Sequence, residues 1–259
     1  VIHGAAIISF DKRFEEKMYR TNVLGTADLV NTCLKMDIPN FVHISSVAAI
    51  GRKPNQKKIT EEDRWEGTKY DSVYAGSKHL QELEVWRAAQ EGLKVKIINP
   101  SVVLGPGIWG QGGSTSVFHY AHSEKQFHPA GNANYVDVRD VAEIAVKLME
   151  SDIYNERFIV NSGSKPYQEF FGGIAKAFDK KPPSKVVKPW MLKVAVAFEY
   201  LRSRITGNEA MITKDTAILS RTQFHFDNSK VKEALNFNFR SFEESVNWTV
   251  SELKKRYDL

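Results

Sequence analysis

The chain has 259 residues, of which 42% are hydrophobic and 26% are charged, a composition typical of a soluble globular protein with one or two domains. The formal net charge is +5, and no dense block of Lys and Arg interleaved with aromatic residues is present, which argues against nucleic-acid binding. Cys33 is the single cysteine, which excludes a disulfide framework and a thiolate metal cluster and favours a reducing, cytoplasmic compartment. No apolar run is long enough to span a bilayer and no signal-peptide pattern is found, so no membrane partner is expected.

Strands and helices alternate along the first 165 residues. Val1, Ile2 and His3 predict a buried strand that ends in small residues, and the apolar spacing over 11–36 predicts a helix. The elements predicted after it are a strand at 41–44, a polar surface excursion at 51–70, a helix at 74–90, a strand at 94–98, a glycine-rich loop at 105–113, a strand at 135–138, a helix at 141–149 and a strand at 156–161. Strands this rich in Val and Ile, alternating with helices, predict a parallel sheet covered on both faces.

The pattern changes after Pro166. Segments rich in Lys, Phe and Pro lead to a long helix at 190–204, and a last helix is predicted at 241–257, with Ser241 and Glu244 in the form of a capping box. The helix at 190–204 is apolar enough to suggest membrane contact, but we favour a lid over the substrate.

The motif Tyr74-Ala-Gly-Ser-Lys78, with the pair Ser45-Ser46 upstream, is the most informative feature of the chain. A tyrosine and a lysine four residues apart lie one turn apart on a helix face. A neighbouring ammonium favours the phenolate and lowers the tyrosine pKa, and a serine hydroxyl could hydrogen-bond the same substrate oxygen. The pattern alone is weak, because a solvated helix face also explains it.

Six segments in the same order resemble the extended short-chain dehydrogenase/reductases of the NAD-dependent epimerase/dehydratase type. They are V-I-H-G-A-A at 1–6, T-N-V-L-G-T at 21–26, H-I-S-S-V-A-A-I-G at 43–51, Y-A-G-S-K at 74–78, N-P-S-V-V-L-G-P-G at 99–107 and Y-V-D-V-R-D-V-A at 135–142. Each segment is weak on its own, but six in the family order are specific. The last third is most similar to the dihydroflavonol-reductase-like branch and, less specifically, to hopanoid-associated sugar epimerases.

The resemblance implies an α/β fold, a Rossmann-type doubly wound parallel sheet with a small mixed α/β C-terminal substrate-binding part. Residues 1–165 would form the dinucleotide-binding domain, with a substrate loop at about 105–134, and residues 166–259 mainly the substrate-binding and lid region. The sheet would be incomplete at its N-terminal end, because the family begins with a strand and a G-x-x-G-x-x-G loop that holds the pyrophosphate, and this chain has no such segment.

Site residues follow from the resemblance by position. Ser46 would be the catalytic serine, with Ser45 as its close competitor. Tyr74 would be the general acid/base, and Lys78 would lower the Tyr74 pKa and hold the nicotinamide ribose. The cofactor, NAD or NADP, would contact Tyr74 and Lys78 together with Gly4, Ala5, Ala6, Thr21, Ile98, Pro100 and Val103.

Several other polar residues have simpler explanations. We expect Asn22 to bond local backbone, His3 to be a core histidine, and Asp137 and Asp140 to be turn and cap residues. A metal site at His119, His122 and His128 is disfavoured because no carboxylate or cysteine set completes it, so no metal is expected.

The predicted function is an NAD(P)-dependent oxidoreductase that acts on a hydroxyl or ketone of a small organic substrate. A nucleotide-sugar epimerase is the close alternative, and a non-catalytic binding or regulatory protein of the same fold is the alternative from another class. Dimerisation through two helices is common in the family, and the sequence leaves a homodimer open.

Overall fold

A computed structural model describes residues 1–53, 56, 58–110, 112–210 and 212–259. Parts of the predicted excursion at 51–70 (residues 54, 55 and 57) and of the glycine-rich loop (Gln111) therefore lie outside the described residues. In the described part, the strands are β1 (Ile2–His3), β2 (Phe41–Ile44), β3 (Val95–Pro100), β4 (Val102–Leu104), β5 (Phe127–His128), β6 (Asn132–Asp137), β7 (Glu156–Val160), β8 (Gly163–Pro166) and β9 (Lys185–Val186).

The α-helices of the described part are α1 (Glu15–Met18), α2 (Gly25–Lys35), α3 (Val73–Gln90), α4 (Ser116–His122), α5 (Val138–Glu150), α6 (Tyr167–Ala177), α7 (Pro189–Thr206), α8 (Lys214–Leu219), α9 (Ser229–Leu235) and α10 (Phe242–Tyr257). The predicted helix at 11–36 is interrupted, because a π-helix at Tyr19–Leu24 separates α1 from α2. Such π segments are frequent at functional sites, and this one carries Thr21.

The main sheet is parallel throughout, in the order β1-β2-β3-β7. Successive side chains of a strand point to opposite faces, so Phe41 packs with α2 and α3, while its neighbour Val42 packs with α5 and α9. Ile97 and Ile98 divide in the same way. The predicted α/β fold with a parallel sheet covered on both faces is confirmed.

A second sheet has the order β4-β6-β8, with β6 and β8 antiparallel. Helices α6 and α10 pack together beside it around a core of aromatic residues that includes Phe170 and Phe242. The predicted elements did not include α6, whose apolar residues have helical spacing but flank the pair Gly172-Gly173. Tertiary packing overrides the low helix propensity of glycine here.

Two predicted helix starts are refined by the structure. Ser241 Oγ accepts a hydrogen bond from Glu244 N at 3.1 Å, which is one half of the predicted capping box, while the Glu244 carboxylate lies near Arg240. Helix α5 begins at Val138, which the sequence placed in a strand, because the Asp137 side chain caps it by accepting from Arg139 N at 2.8 Å. The cap role predicted for Asp137 is confirmed.

Candidate active site

Ser46 and Tyr74 meet where β2 ends and α3 begins. Ser46 Oγ accepts a hydrogen bond from Ala48 N at 3.1 Å and so caps a short 3-10 turn. The same side chain lies close enough to the Tyr74 phenol to lower its pKa. Tyr74 stands in the first turn of α3 and packs edge-on against Phe10, with ring centroids 5.8 Å apart. The predicted Ser46 and Tyr74 hydroxyls are therefore neighbours.

The Tyr74 phenol has a raised pKa. Burial raises it by disfavouring the phenolate, and the nearby Ser46 hydroxyl offsets only part of that effect. The sequence led us to expect that Lys78 would lower the Tyr74 pKa, and the structure shows a raised pKa instead. The reason is that the Lys78 side chain points elsewhere.

Lys78 is almost fully buried, and its ammonium donates to Gln81 Oε1 at 2.6 Å and to the Ile44 carbonyl at 3.2 Å. Burial lowers the Lys78 pKa from 10.5 to about 8, against a smaller raising effect of Glu82. Lys78 is thus a cation held beneath the end of β2, and it loses its charge in mild alkali.

A chain of buried hydrogen bonds continues from Lys78 into the core. Gln81 Nε2 donates to Thr26 Oγ1 at 2.8 Å, and Thr26 Oγ1 is 2.8 Å from His3 Nε2. Because Gln81 follows Lys78 by three residues on one helix face, its position was a usable signal in the sequence. His3, stacked on His43 with ring centroids 5.2 Å apart, is the core histidine that the sequence predicted.

A buried carboxylate lies next to this chain. Asn99 Nδ2 donates to Glu82 Oε1 at 2.5 Å and to the Ser46 carbonyl at 2.9 Å, and Arg157 approaches the other Glu82 oxygen at 3.5 Å. Burial raises the Glu82 pKa, although Ser45, Arg157 and Asn99 oppose the change. The sequence prediction missed both Glu82 and the support that Asn99 gives to the Ser46 backbone, since both depend on contacts between elements.

The residues predicted to contact the cofactor fall into two groups. Gly4 and Ala5 are exposed at the end of β1, and a Cβ at Gly4 would be 3.7 Å from the Ile44 side chain, an ordinary contact. Packing within the described residues therefore does not require glycine there. Thr21 is also exposed, and Ala6 is half-buried.

The second group lies deeper. Ile98 is fully buried within the core and Pro100 is also buried, whereas Val103 is half-buried.

Asn22 bonds the Ile7 backbone through both polar atoms of its side-chain amide, at 2.8 and 3.0 Å, as predicted. The Ser46 and Tyr74 hydroxyls and the Lys78 ammonium are donors of the kind that fits the oxygens at the nicotinamide–ribose end of a dinucleotide.

A cleft of about 1210 Å³ opens beside Tyr74, between α7, α8 and the segment at 10–13. Phe10, which contacts the Tyr74 ring, and Tyr70, one turn before it, both line the cleft. Its walls are mainly apolar, with Leu192, Val196 and Ile218 among them. Seven basic residues also line it: Lys12, Arg13, Lys69, Lys193, Arg204, Lys214 and Arg221.

The histidines considered for a metal are used in packing. His119 and His122 lie edge-on to Trp109, with ring centroids 5.2 and 5.4 Å away. Within the residues that the structure describes, no three His, Cys, Asp or Glu side chains are grouped to hold a metal ion. No helix of that part is long and apolar enough to cross a bilayer.

Comparisons with known proteins identify the family of the chain. Residues 1–161 match the NAD dependent epimerase/dehydratase family. A dihydroflavonol 4-reductase-like protein of Synechocystis is 25% identical over 256 residues, 95% of this chain and 73% of its own length. Cinnamoyl-CoA reductase 1 of Arabidopsis thaliana is 24% identical over 267 residues, 99% of this chain and 68% of its own length.

Solved structures share the fold at low identity. Gre2 of Candida albicans, in complex with NADPH, has a TM-score of 0.73 and 23% identity, with 99% of this chain and 77% of that chain covered. UDP-glucose 4-epimerase of Thermotoga maritima, solved with UDP-glucose, has a TM-score of 0.73 and 22% identity at the same coverage. From the family match and the named reductases and epimerases around it, the chain is an enzyme of the NAD dependent epimerase/dehydratase family, which works with NAD or NADP.

Proposed function

We propose that this chain reduces the carbonyl group of a bulky apolar compound, with Tyr74 as the proton donor. The observation that carries the proposal is the cleft: it is large, its walls are mainly apolar, and it reaches the Tyr74 ring through Phe10. An apolar cleft gains free energy from burying apolar substrate surface. We further propose that residues 1–165 hold the dinucleotide and that residues 166–259, which supply α7 and α8, hold the substrate with the loop at about 105–134.

The proposed chemistry follows from Tyr74, whose ring contacts Phe10 of the cleft wall, and from its neighbour Ser46. A bound reduced nicotinamide would supply the hydride to the carbonyl carbon. Tyr74 gives its phenolic proton to the carbonyl oxygen, and the Ser46 hydroxyl donates a hydrogen bond to the same oxygen. Because the Tyr74 pKa is raised, the phenol holds its proton until the oxygen becomes basic.

Lys78 is the cation of the proposed site, one helical turn after Tyr74, with its ammonium held by Gln81 and the Ile44 carbonyl. Its lowered pKa, about 8, means that it carries charge at neutral pH and loses it in mild alkali. The rate of carbonyl reduction should therefore fall as the pH rises through the Lys78 pKa.

A nucleotide-sugar epimerase is the second candidate, and one observation favours it. The seven basic residues around the cleft come from segments that are distant in sequence, so the sequence showed no basic cluster. A diphosphate would be attracted to them. Arg13 is already paired with Asp11 at 2.6 Å, which reduces the charge available to a ligand.

The test is the change Tyr74→Phe, which keeps the ring and removes the proton. With NADPH or NADH and a panel of aromatic aldehydes and ketones, we expect kcat to fall by roughly 10²–10⁴-fold, since that is the usual contribution of a general acid. Binding of NADPH, followed by tryptophan fluorescence, should be unchanged. Tyr154→Phe is the matched control, because within the described residues its hydroxyl bonds Asp152, at 3.2 Å, and none of the site residues.

The outcomes separate the three functions. Unchanged turnover in Tyr74→Phe would remove Tyr74 from the mechanism. Turnover of UDP-sugars without reduction of any carbonyl compound would favour the epimerase. Nucleotide binding with no turnover of either substrate class would favour the non-catalytic protein of this fold.

A further inference from the structure

Helix α7 carries a row of apolar side chains that no other part of the described structure buries. The row, here named the apolar stripe, consists of Trp190, Val194, Phe198, Leu201 and Ile205, which are 62, 60, 64, 58 and 76% exposed. Their spacing of three or four residues places them on one face of the helix. Leu192 and Val196 face the other way and line the cleft, and Ser203 is the one buried residue of the helix.

The charge around the stripe is strongly positive. Residues 180–206 contain seven Lys and Arg and one acidic residue, Glu199, a net charge of +6. Since the whole chain carries +5, the remainder is close to neutral. Among the described residues, Arg202 is the one basic residue of this segment that forms a salt bridge, and its partner is Glu199 at 2.8 Å. Because Lys193 and Arg204 line the cleft, the charge next to the apolar stripe comes from the lysines at the start of α7 and ahead of it, at 180, 181, 185 and 188.

We propose that the apolar stripe docks α7 onto the surface of an anionic phospholipid bilayer. An exposed apolar face that includes Trp and Phe, flanked by Lys and Arg, is the pattern of helices that lie in the membrane interface. The lysines gain attraction from anionic headgroups, which explains why the charge and the stripe coincide. A second copy of this chain fits less well, because it would bring two segments of charge +6 together.

The docking surface has a consequence for the cleft. One face of α7 would lie against lipid while the opposite face lines the substrate cleft, next to the medium in which apolar carbonyl compounds accumulate. That consequence rests on the proposed reductase function. The docking itself does not, and it is tested without any turnover assay.

The experiment is vesicle flotation of the full chain. We expect it to float with vesicles of 30 mol% phosphatidylglycerol in phosphatidylcholine, and to bind pure phosphatidylcholine far more weakly. Adding vesicles should shift the Trp190 emission to the blue. The double change Trp190→Ser with Phe198→Ser should weaken binding by at least about tenfold, because both side chains are then absent from the interface.

Charge is tested separately by Lys181→Gln with Lys188→Gln. The affinity for the anionic vesicles should fall by roughly thirtyfold, since each lysine contributes a factor of roughly five to six. Binding of the unchanged protein should also weaken steeply as the salt concentration rises. Lys17→Gln with Lys35→Gln, at exposed positions elsewhere, is the matched control and should bind like the unchanged protein.

An apolar control is also available, because Met36, which caps the end of α2, and Val146, on α5, are exposed at 65 and 49%. Met36→Ser with Val146→Ser should leave flotation intact. The proposal is overturned if the unchanged protein does not float with anionic vesicles, or if the stripe variant floats as well as this control. Circular dichroism establishes that each variant is folded. A dimer in sedimentation velocity that dissociates in the stripe variant, with no vesicle binding, would instead assign the stripe to self-association.

Discussion

Replacing Lys78 with Met should stabilise the protein at neutral pH, although it removes a residue of the proposed site. The Lys78 pKa is about 8 in the folded protein against 10.5 as the reference. Each pKa unit corresponds to 1.36 kcal/mol, so keeping the buried ammonium charged costs roughly 3 kcal/mol. Methionine removes that cost and keeps most of the stem packing. It also leaves Gln81 Oε1 and the Ile44 carbonyl without this donor, at about 1 kcal/mol each.

The pH dependence is the sharper part of this prediction. Below pH 8 the lysine is protonated in both the folded and the unfolded state. Between pH 8 and 10.5 only the unfolded state retains the proton, so the unchanged protein gains stability as the pH rises. Lys78→Met lacks this gain, and its advantage of about 1 kcal/mol at pH 7 should fall by roughly 2 kcal/mol by pH 9.5.

Urea denaturation at several pH values between 7 and 9.5 measures the difference in the free energy of unfolding. Lys35→Met, at an exposed position on α2, reports the loss of a surface lysine. If the difference between Lys78→Met and the unchanged protein does not vary with pH, the lowered Lys78 pKa is wrong. A variant that is far less stable at pH 7 would show that its hydrogen bonds outweigh the cost of burial.

Two further predictions concern the same network and the aromatic core. Gln81→Leu removes the acceptor 2.6 Å from the Lys78 ammonium. The Lys78 pKa should therefore fall further, because a hydrogen-bond acceptor favours the charged form of lysine. NMR titration of protein labelled at lysine Cε measures this pKa, and an unchanged value would exclude a positioning role for Gln81. Gly172→Ala and Gly173→Ala are adjacent in α6 but should differ in sign. A Cβ at Gly173 would be 2.5 Å from Phe242 Cε1, whereas nothing lies within 4 Å of one at Gly172. Thermal unfolding should show Gly172→Ala stabilised by up to about 1 kcal/mol and Gly173→Ala destabilised by about 1–3 kcal/mol; equal shifts would contradict the packing at Phe242.

Much of the fold could be predicted from local patterns. The strand at 41–44 and the helix that carries Tyr74 were correctly predicted, because hydrophobic periodicity reflects which face an element buries. The order of six segments, with Ser46 and Tyr74 among them, indicated the family before any contact was known. Helix α6 was missed, because Gly172 and Gly173 weaken the local signal and the aromatic core supplies what propensity does not.

The sequence by itself thus determined the alternation of strands and helices, the family and the candidate residues of the site. Only the tertiary structure decided what those residues do to one another. The Tyr74 pKa is raised rather than lowered because burial outweighs its neighbours, and the Lys78 ammonium turns to Gln81 and Ile44. The basic residues of the cleft come together from distant segments. Periodicity is local and can be read along the chain, whereas burial and electrostatic energy depend on contacts between residues far apart in sequence.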